Sequence, residues 1–213
     1  MNATRIIAIR HGETDWNLAA RLQGHTDIAL NATGLQQARQ MAAALADTAL
    51  SHIYSSDLLR AWETAQALAS ANGAALTRDA RLRERSFGEY EGQRFIDIEA
   101  QDPDSALRWR KREPAFTPPG GESLLALQAR ISQAVFQLAA QHQGQQIALV
   151  AHGGVLDTLY RLATRQDLQA PRTWELANTS VNRLLWTPDS GLTLVGWGDT
   201  SHLQQAGRDE LAT

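Results

Sequence analysis

His11 and His152 each close an apolar run and each precede a glycine. In "IIAIRHGETDWN", Ile6 to Asn17, four apolar or small residues lead straight into Arg10, His11 and Gly12. In "IALVAHGGV", Ile147 to Val155, the run ends in His152, Gly153 and Gly154. Imidazole changes protonation near neutral pH and serves as nucleophile, acid or base. A guanidinium offers a planar fork that matches phosphate oxygens. Glycines let a backbone approach a ligand, and free N–H groups at a helix start favour an anion. Taken singly, each has a plainer reading: a packed core histidine, a structural ion pair, a turn glycine. The repetition argues otherwise, because polar groups ending two buried strands need partners and a shared site supplies them. The pieces converge on a phosphate held between two imidazoles and at least one guanidinium.

The elements that position these residues follow from periodicity. Ile6 to Ile9 and "QQIALVAH" read as strands buried on both faces, and "SHIYSS" as a shorter one. "NATGLQQARQMAAALAD" carries Leu35, Ala38, Met41, Ala42 and Leu45 at helical spacing, with Thr33 as its expected N-cap. "SDLLRAWETAQALASANG" is a helix capped by Asp57 and ended near Asn72-Gly73. A longer helix spans about Glu122 to Gln141, and another runs from Val155 to Thr164, after the glycine pair. "VNRLLWT" and "LTLVGWGD", split by "PDSG", form a hairpin at a sheet edge. Alternating strands and helices predict an α/β three-layer sandwich with a mostly parallel central sheet flanked by helices. In such a sheet ligands sit beyond the carboxyl ends of the strands, where Arg10 and both histidines fall. Residues 1–213 are expected to form a single domain. A small helical cap insertion over about 86–121, polar and ending in Pro-Pro-Gly-Gly, interrupts it.

Composition narrows the classes. The 213 residues are 43% hydrophobic and 20% charged, with a net charge of −3, which suits a folded core and gives no general attraction to nucleic acid or an anionic membrane. With no cysteine, disulfides, thiolate catalysis and Cys-based zinc sites are excluded. No secretory core follows "MNATR" and no apolar window reaches membrane-span length, so the expected location is the cytoplasm. The Asn-x-Ser/Thr triplets at Asn2, Asn31 and Asn178 read as chance. His25, His52, His142 and His202 show no metal-binding spacing, and no P-loop is present. Neither a metal nor a cofactor is expected.

"RHGETDWN" resembles the signature of the histidine phosphatase superfamily, which includes the cofactor-dependent phosphoglycerate mutases. The similarity continues through "RLQGHTDIALNATGLQQA", "IYSSDLLRAWETA", "LRERSFGEYEG", "PPGGES", "LVAHGGVL" and "NTSVNRLLW". The resemblance implies that His11 is the nucleophile that becomes phosphohistidine. That role needs a neutral ring whose other nitrogen donates to a backbone carbonyl. It implies that Arg10 and Arg60 clamp the phosphoryl oxygens, Arg60 from the first turn of its helix. Asn17, Gln23, Gly24 and the Gly153 N–H would line the same pocket. His152 would carry a proton and stabilise charge on the transferring group. Glu84 would give a proton to the leaving alkoxide and later take one from water; without the resemblance, an ion pair with Arg83 or Arg85 is the plainer reading.

One such site can hydrolyse or isomerise phosphoesters. Mutases enclose their intermediate and carry a longer segment between the acid and the second histidine. From Glu84 to His152 there are on the order of 70 residues, which resembles the phosphatase branch, as does the tail "GDTSHL". The expected activity is therefore hydrolysis of a small phosphorylated metabolite such as a sugar phosphate or phosphoglycerate derivative. The alternatives are a cofactor-dependent phosphoglycerate mutase and a non-catalytic phospho-ligand binder, which usually loses the nucleophile or the acid. In the cap, Arg94, Trp109, Arg110, Lys111 and Arg112 suit an acidic leaving group, or equally a solvated helix face. Trp16 fits the pocket mouth or the core. The hairpin could pair across a homodimer, and a polar tail follows from about Gln204.

Overall fold

The computed structural model describes residues 2–203, so the expected tail from Gln204 lies outside the described residues. Six strands, β1 (Thr4–Arg10), β2 (His52–Ser55), β3 (Leu76–Arg78), β4 (Gln146–Ala151), β5 (Val181–Thr187) and β6 (Gly191–Asp199), form one sheet. Their order is β3-β2-β4-β1-β5-β6. The first four strands in that order run parallel, and β5 and β6 add an antiparallel hairpin at one edge. The short β3, "LTR", has no period of its own in the sequence; it forms because it extends β2, with Tyr54 opposite Thr77.

Among the described residues seven α-helices accompany the sheet: α1 (Asp15–Leu18), α2 (Ala32–Ala44), α3 (Leu59–Asn72), α4 (Phe95–Gln101), α5 (Pro103–Arg110), α6 (Leu124–Gln141) and α7 (Gly153–Thr164). The central strands are apolar on both faces because both are covered. Ile6 and Ala8 face one core with Leu127, Ile131 and Val135 of α6 and Val155, Leu156 and Leu159 of α7. Ile7 and Ile9 face the other with Met41 of α2 and Ala61, Ala65 and Leu68 of α3. Burying each such Ile or Leu contributes about 1.5–3 kcal/mol. A third, smaller cluster of Tyr90, Ile98 and Phe116, flanked by Leu22, Phe87 and Trp109, holds α4 and α5 over one end of the sheet.

Three helix starts differ from the expected ones. The cap of α2 is Asn31, not Thr33: its side chain accepts the Gly34 N–H at 2.8 Å, an extended residue with the better capping group. Asp57 does not cap α3, because its carboxylate is taken by the Arg83 guanidinium at 2.7 and 2.6 Å. The Leu59 N–H turns instead to Asp27 Oδ1 at 2.6 Å. The last long helix begins at Gly153 rather than after the glycine pair, since His152 is itself the extended residue before the first turn.

Candidate active site

β1 and β4 are parallel neighbours in register, Arg10 opposite Ala151, and the His11 N–H donates to Ala151 O at 2.9 Å. The residues that follow the two strands therefore emerge side by side. The rings of His11 and His152 lie 5.2 Å apart, tilted by 57°. β2, on the other side of β4, leads into α3 and delivers Arg60 to the same end. Three adjacent strand ends thus assemble Arg10, His11, His152 and Arg60.

His11 Nδ1 lies 2.7 Å from Gly12 O, a carbonyl that can only accept, so the proton sits on Nδ1 and the Nε2 lone pair is free. Burial, then the charges of Arg60 and Arg10, push the His11 pKa well below 6.5, leaving the ring neutral. His152 is fully buried and neither ring nitrogen has a hydrogen-bond partner. In the free protein, burial and the fields of Arg60, His11 and Arg10 push its pKa well below 6.5. The same guanidiniums that collect an anion expel the imidazole proton.

The arginine clamps are built on carbonyls. Arg60 donates from Nη1 to Thr26 O at 2.9 Å and from Nη2 to Gly24 O at 2.7 Å, while its buried Nε has no partner. Its burial lowers its pKa to about 10, the fields of Glu84, Asp27 and Glu91 working the other way, so the charge persists at neutral pH. Arg10 donates from Nη1 to Leu176 O and keeps a buried, unpartnered Nε. Asn17 Oδ1 accepts from Thr14 N at 3.0 Å, which turns its amide NH₂ elsewhere. Arg10, His11, Asn17, Gln23, Gly24, Arg60, Glu84 and Gly153 all line one cleft of about 270 Å³. His152 is not part of the cleft wall.

Gly24 owes its identity to Glu91. At φ +52° a side chain is disfavoured, and a Cβ there would fall 2.1 Å from Glu91 Oε1. Glu91 accepts from His25 N at 2.9 Å, Thr26 N at 2.9 Å, Thr26 Oγ1 at 2.7 Å and Phe87 N at 3.1 Å. It thereby fixes the loop whose carbonyls hold Arg60.

Glu84 is not ion-paired with Arg83, which goes to Asp57, or with the Arg85 guanidinium, which donates to Glu122 O at 2.7 Å and Phe116 O at 3.1 Å. Its carboxylate meets backbone N–H groups instead, from Gly154 at 3.0 and 3.1 Å and Arg85 at 2.8 Å. Arg130 of α6 holds the chain there, donating to Arg83 O at 2.9 Å and Glu84 O at 3.2 Å.

Of the cap residues, Trp109 and Arg112 reach the cleft. Arg94 pairs with Asp97 at 2.7 Å and Arg110 with Glu99 at 2.6 Å on the exposed side. Lys111 is absent from the cleft wall, and Trp16 packs beside Gly92. Trp109 stacks on Phe87 at 5.2 Å and lies under the Arg85 guanidinium, also at 5.2 Å. Asp157 and Arg172, not singled out from the sequence, also line the cleft. Asp157 carried a readable signal, one helical turn after Gly153 on the same face. Arg172 lies in an irregular segment and carried none.

A parallel α/β sheet whose strand ends surround an anion-sized cleft with two buried imidazoles and two guanidiniums is a phosphoryl-group site by class. The chain belongs to the histidine phosphatase superfamily (branch 1), whose family model matches residues 6–200. It is 38% identical over 205 residues to phosphoglycerate mutase-like protein 4 of Arabidopsis thaliana, covering 95% of this chain and 88% of that one. Among solved structures, a mycobacterial glucosyl-3-phosphoglycerate phosphatase superposes with a TM-score of 0.83 at 32% identity, covering 92% and 99% of the two chains. Phosphoserine phosphatase of Entamoeba histolytica, in complex with 3-phosphoglyceric acid, gives 0.84 at 28% identity, covering 94% and 99%.

Proposed function

We propose that this protein hydrolyses the phosphomonoester of a small, acidic phosphorylated metabolite through a phosphohistidine, without a metal. The observation that carries the reading is the His11 ring, locked by Gly12 O with its Nε2 lone pair free, beside His152 and between Arg10 and Arg60. His11 Nε2 attacks phosphorus as the ester P–O bond breaks, and Glu84 passes a proton to the departing alkoxide. Water then attacks phosphohistidine, Glu84 takes its proton, and inorganic phosphate leaves with His11 restored. Arg10 and Arg60 supply the positive charge a metal would otherwise bring, and His152 takes a proton when the phosphoryl dianion arrives.

The substrate class follows from the cleft wall. Besides the phosphate clamp, Arg21, Arg85, Arg112 and Arg172 line the cleft, against Glu84 and Asp157, the latter paired with Arg112 at 2.7 Å. That excess suits a leaving group with its own carboxylate, as in the phosphoglycerate and phosphoserine esters that similar phosphatases are named for. The setting is a reducing cytoplasm, in keeping with a chain free of cysteine.

Hydrolysis of p-nitrophenyl phosphate and of phosphorylated carboxylic acids tests the reading, with His11→Ala as control. Activity retained in His11→Ala would overturn it. The mutase reading is kept by the mutase-like relative. Conversion of 3- to 2-phosphoglycerate primed by 2,3-bisphosphoglycerate, faster than release of phosphate, would favour it.

A further inference from the structure

We infer that Gly154 is a positioning residue for Glu84, its N–H and its missing side chain together seating the carboxyl of the proposed acid. The inference rests on the phosphohistidine reading and adds to it a residue whose only effect passes through another.

Two independent features support it. The Gly154 N–H lies 3.0 Å from Glu84 Oε1 and 3.1 Å from Oε2, so one donor at the start of α7 addresses both oxygens. A Cβ on Gly154 would stand 2.3 Å from Glu84 Oε1, where no atom can remain. Gly154 is not among the positive-φ glycines, so its backbone does not demand glycine, and a helical glycine is destabilising relative to alanine. Close approach of the carboxyl is what the site gains. Gly153 differs: a Cβ there meets Glu84 Oε2 at 3.7 Å and Arg10 Nε at 3.9 Å, ordinary contacts within the protein.

The collision falls on the far end of a flexible side chain, while the Glu84 backbone is held by His25 Nε2 at 2.9 Å and Arg130 Nη2 at 3.2 Å. An alanine at 154 therefore folds, and the carboxyl alone moves away. The chemical consequence depends on the leaving group. A nitrophenolate departs with little help from a proton, whereas an alkoxide needs one.

The test is Gly154→Ala, with phosphohistidine formation followed by rapid quench in a single turnover. The expected result with p-nitrophenyl phosphate is a rate within about threefold of the unaltered protein. With glycerol phosphate it falls about a hundredfold, the general-acid contribution. The melting temperature is expected to be unchanged or higher. Shortening the acid relieves the clash, so Glu84→Asp with Gly154→Ala loses no more than Glu84→Asp alone. Equal losses on both esters, or an unchanged rate on glycerol phosphate, would overturn the inference. Absence of phosphohistidine from the unaltered protein with both esters would overturn the underlying reading, and this inference with it.

Discussion

Glu91 never reaches the cleft, yet Glu91→Gln should damage both stability and turnover. Burial opposes its charge, but hydrogen bonds from His25, Thr26 and Phe87 hold its carboxyl below the usual range. The amide keeps the size and loses one acceptor. With its oxygen toward His25 N and Phe87 N, its NH₂ confronts the Thr26 N–H, now 2.9 Å from an acceptor. The Thr26 hydroxyl can rotate to accept, but the backbone N–H cannot. Leaving this half-buried donor without a partner costs toward the low end of about 1–3 kcal/mol, and the remaining bonds lose their charge assistance. A loss of about 2–3 kcal/mol follows, or roughly 5–10 °C in melting temperature for a domain of this size. Because Gly24 O and Thr26 O hold the Arg60 guanidinium, the clamp loosens too. Misplacing a clamp is expected to lower kcat/KM about tenfold to a hundredfold. Thermal melts and steady-state assays on p-nitrophenyl phosphate measure both. A variant that melts within about 2 °C of the parent and keeps kcat/KM within twofold would refute the reasoning.

Lowering the pH should weaken the free protein earlier than its carboxylates require. His11 and His152 are held well below 6.5 in the fold, so below about pH 6.5 the unfolded chain binds protons that the folded chain refuses. Stability is full above that pH and falls beneath it, by up to about 1.4 kcal/mol per pH unit for each ring. Urea melts at pH 7.5, 6.5 and 5.5 read the slope, which His152→Asn should reduce; a flat profile would contradict it. Asp157→Asn should cost about 3 kcal/mol, because the amide keeps an acceptor but removes the negative charge facing the fully buried Arg161 at 3.0 Å and Arg112 at 2.7 Å. Chemical denaturation checks this, and an unchanged midpoint with an unchanged slope would count against it.

The strand-end residues were legible because two constraints act on them at once. A run such as Ile147–Ala151 is apolar throughout only if both faces are covered, and a histidine and glycines directly after it have few roles other than ligand contact. Arg60 and Glu84 were legible through motif resemblance, since neither helical spacing nor charge alone separates them from surface ion pairs. Three-dimensional pairing hid the rest. Asp57 looks like a cap until Arg83, distant in sequence, claims it. Glu91 and Arg130 look like surface charges until the loops they bind fold over them. The field on His152 in the free protein is hidden for the same reason: nothing local to "VAHGGV" reveals that Arg60 and Arg10 converge on it.

Besides burial, the charge of Arg60 acts on both imidazoles. In the free protein its field keeps His11 neutral, which a nucleophile requires, and keeps His152 neutral as well. A phosphoryl dianion between the guanidiniums cancels that field for both rings, but the two are not placed alike. His11 Nδ1 is already committed to Gly12 O, and in the proposed attack its Nε2 faces phosphorus, which accepts no proton. Both nitrogens of His152 lack any partner, so neither is committed before the substrate binds. In the proposed reaction the proton taken up from solvent as the dianion binds therefore settles on His152. By linkage, whatever favours that proton favours the bound anion equally. In the proposed reaction one cluster of positive charge thus serves two states: empty, it holds the nucleophile ready; filled, it releases the second imidazole to share the charge of the transferring group.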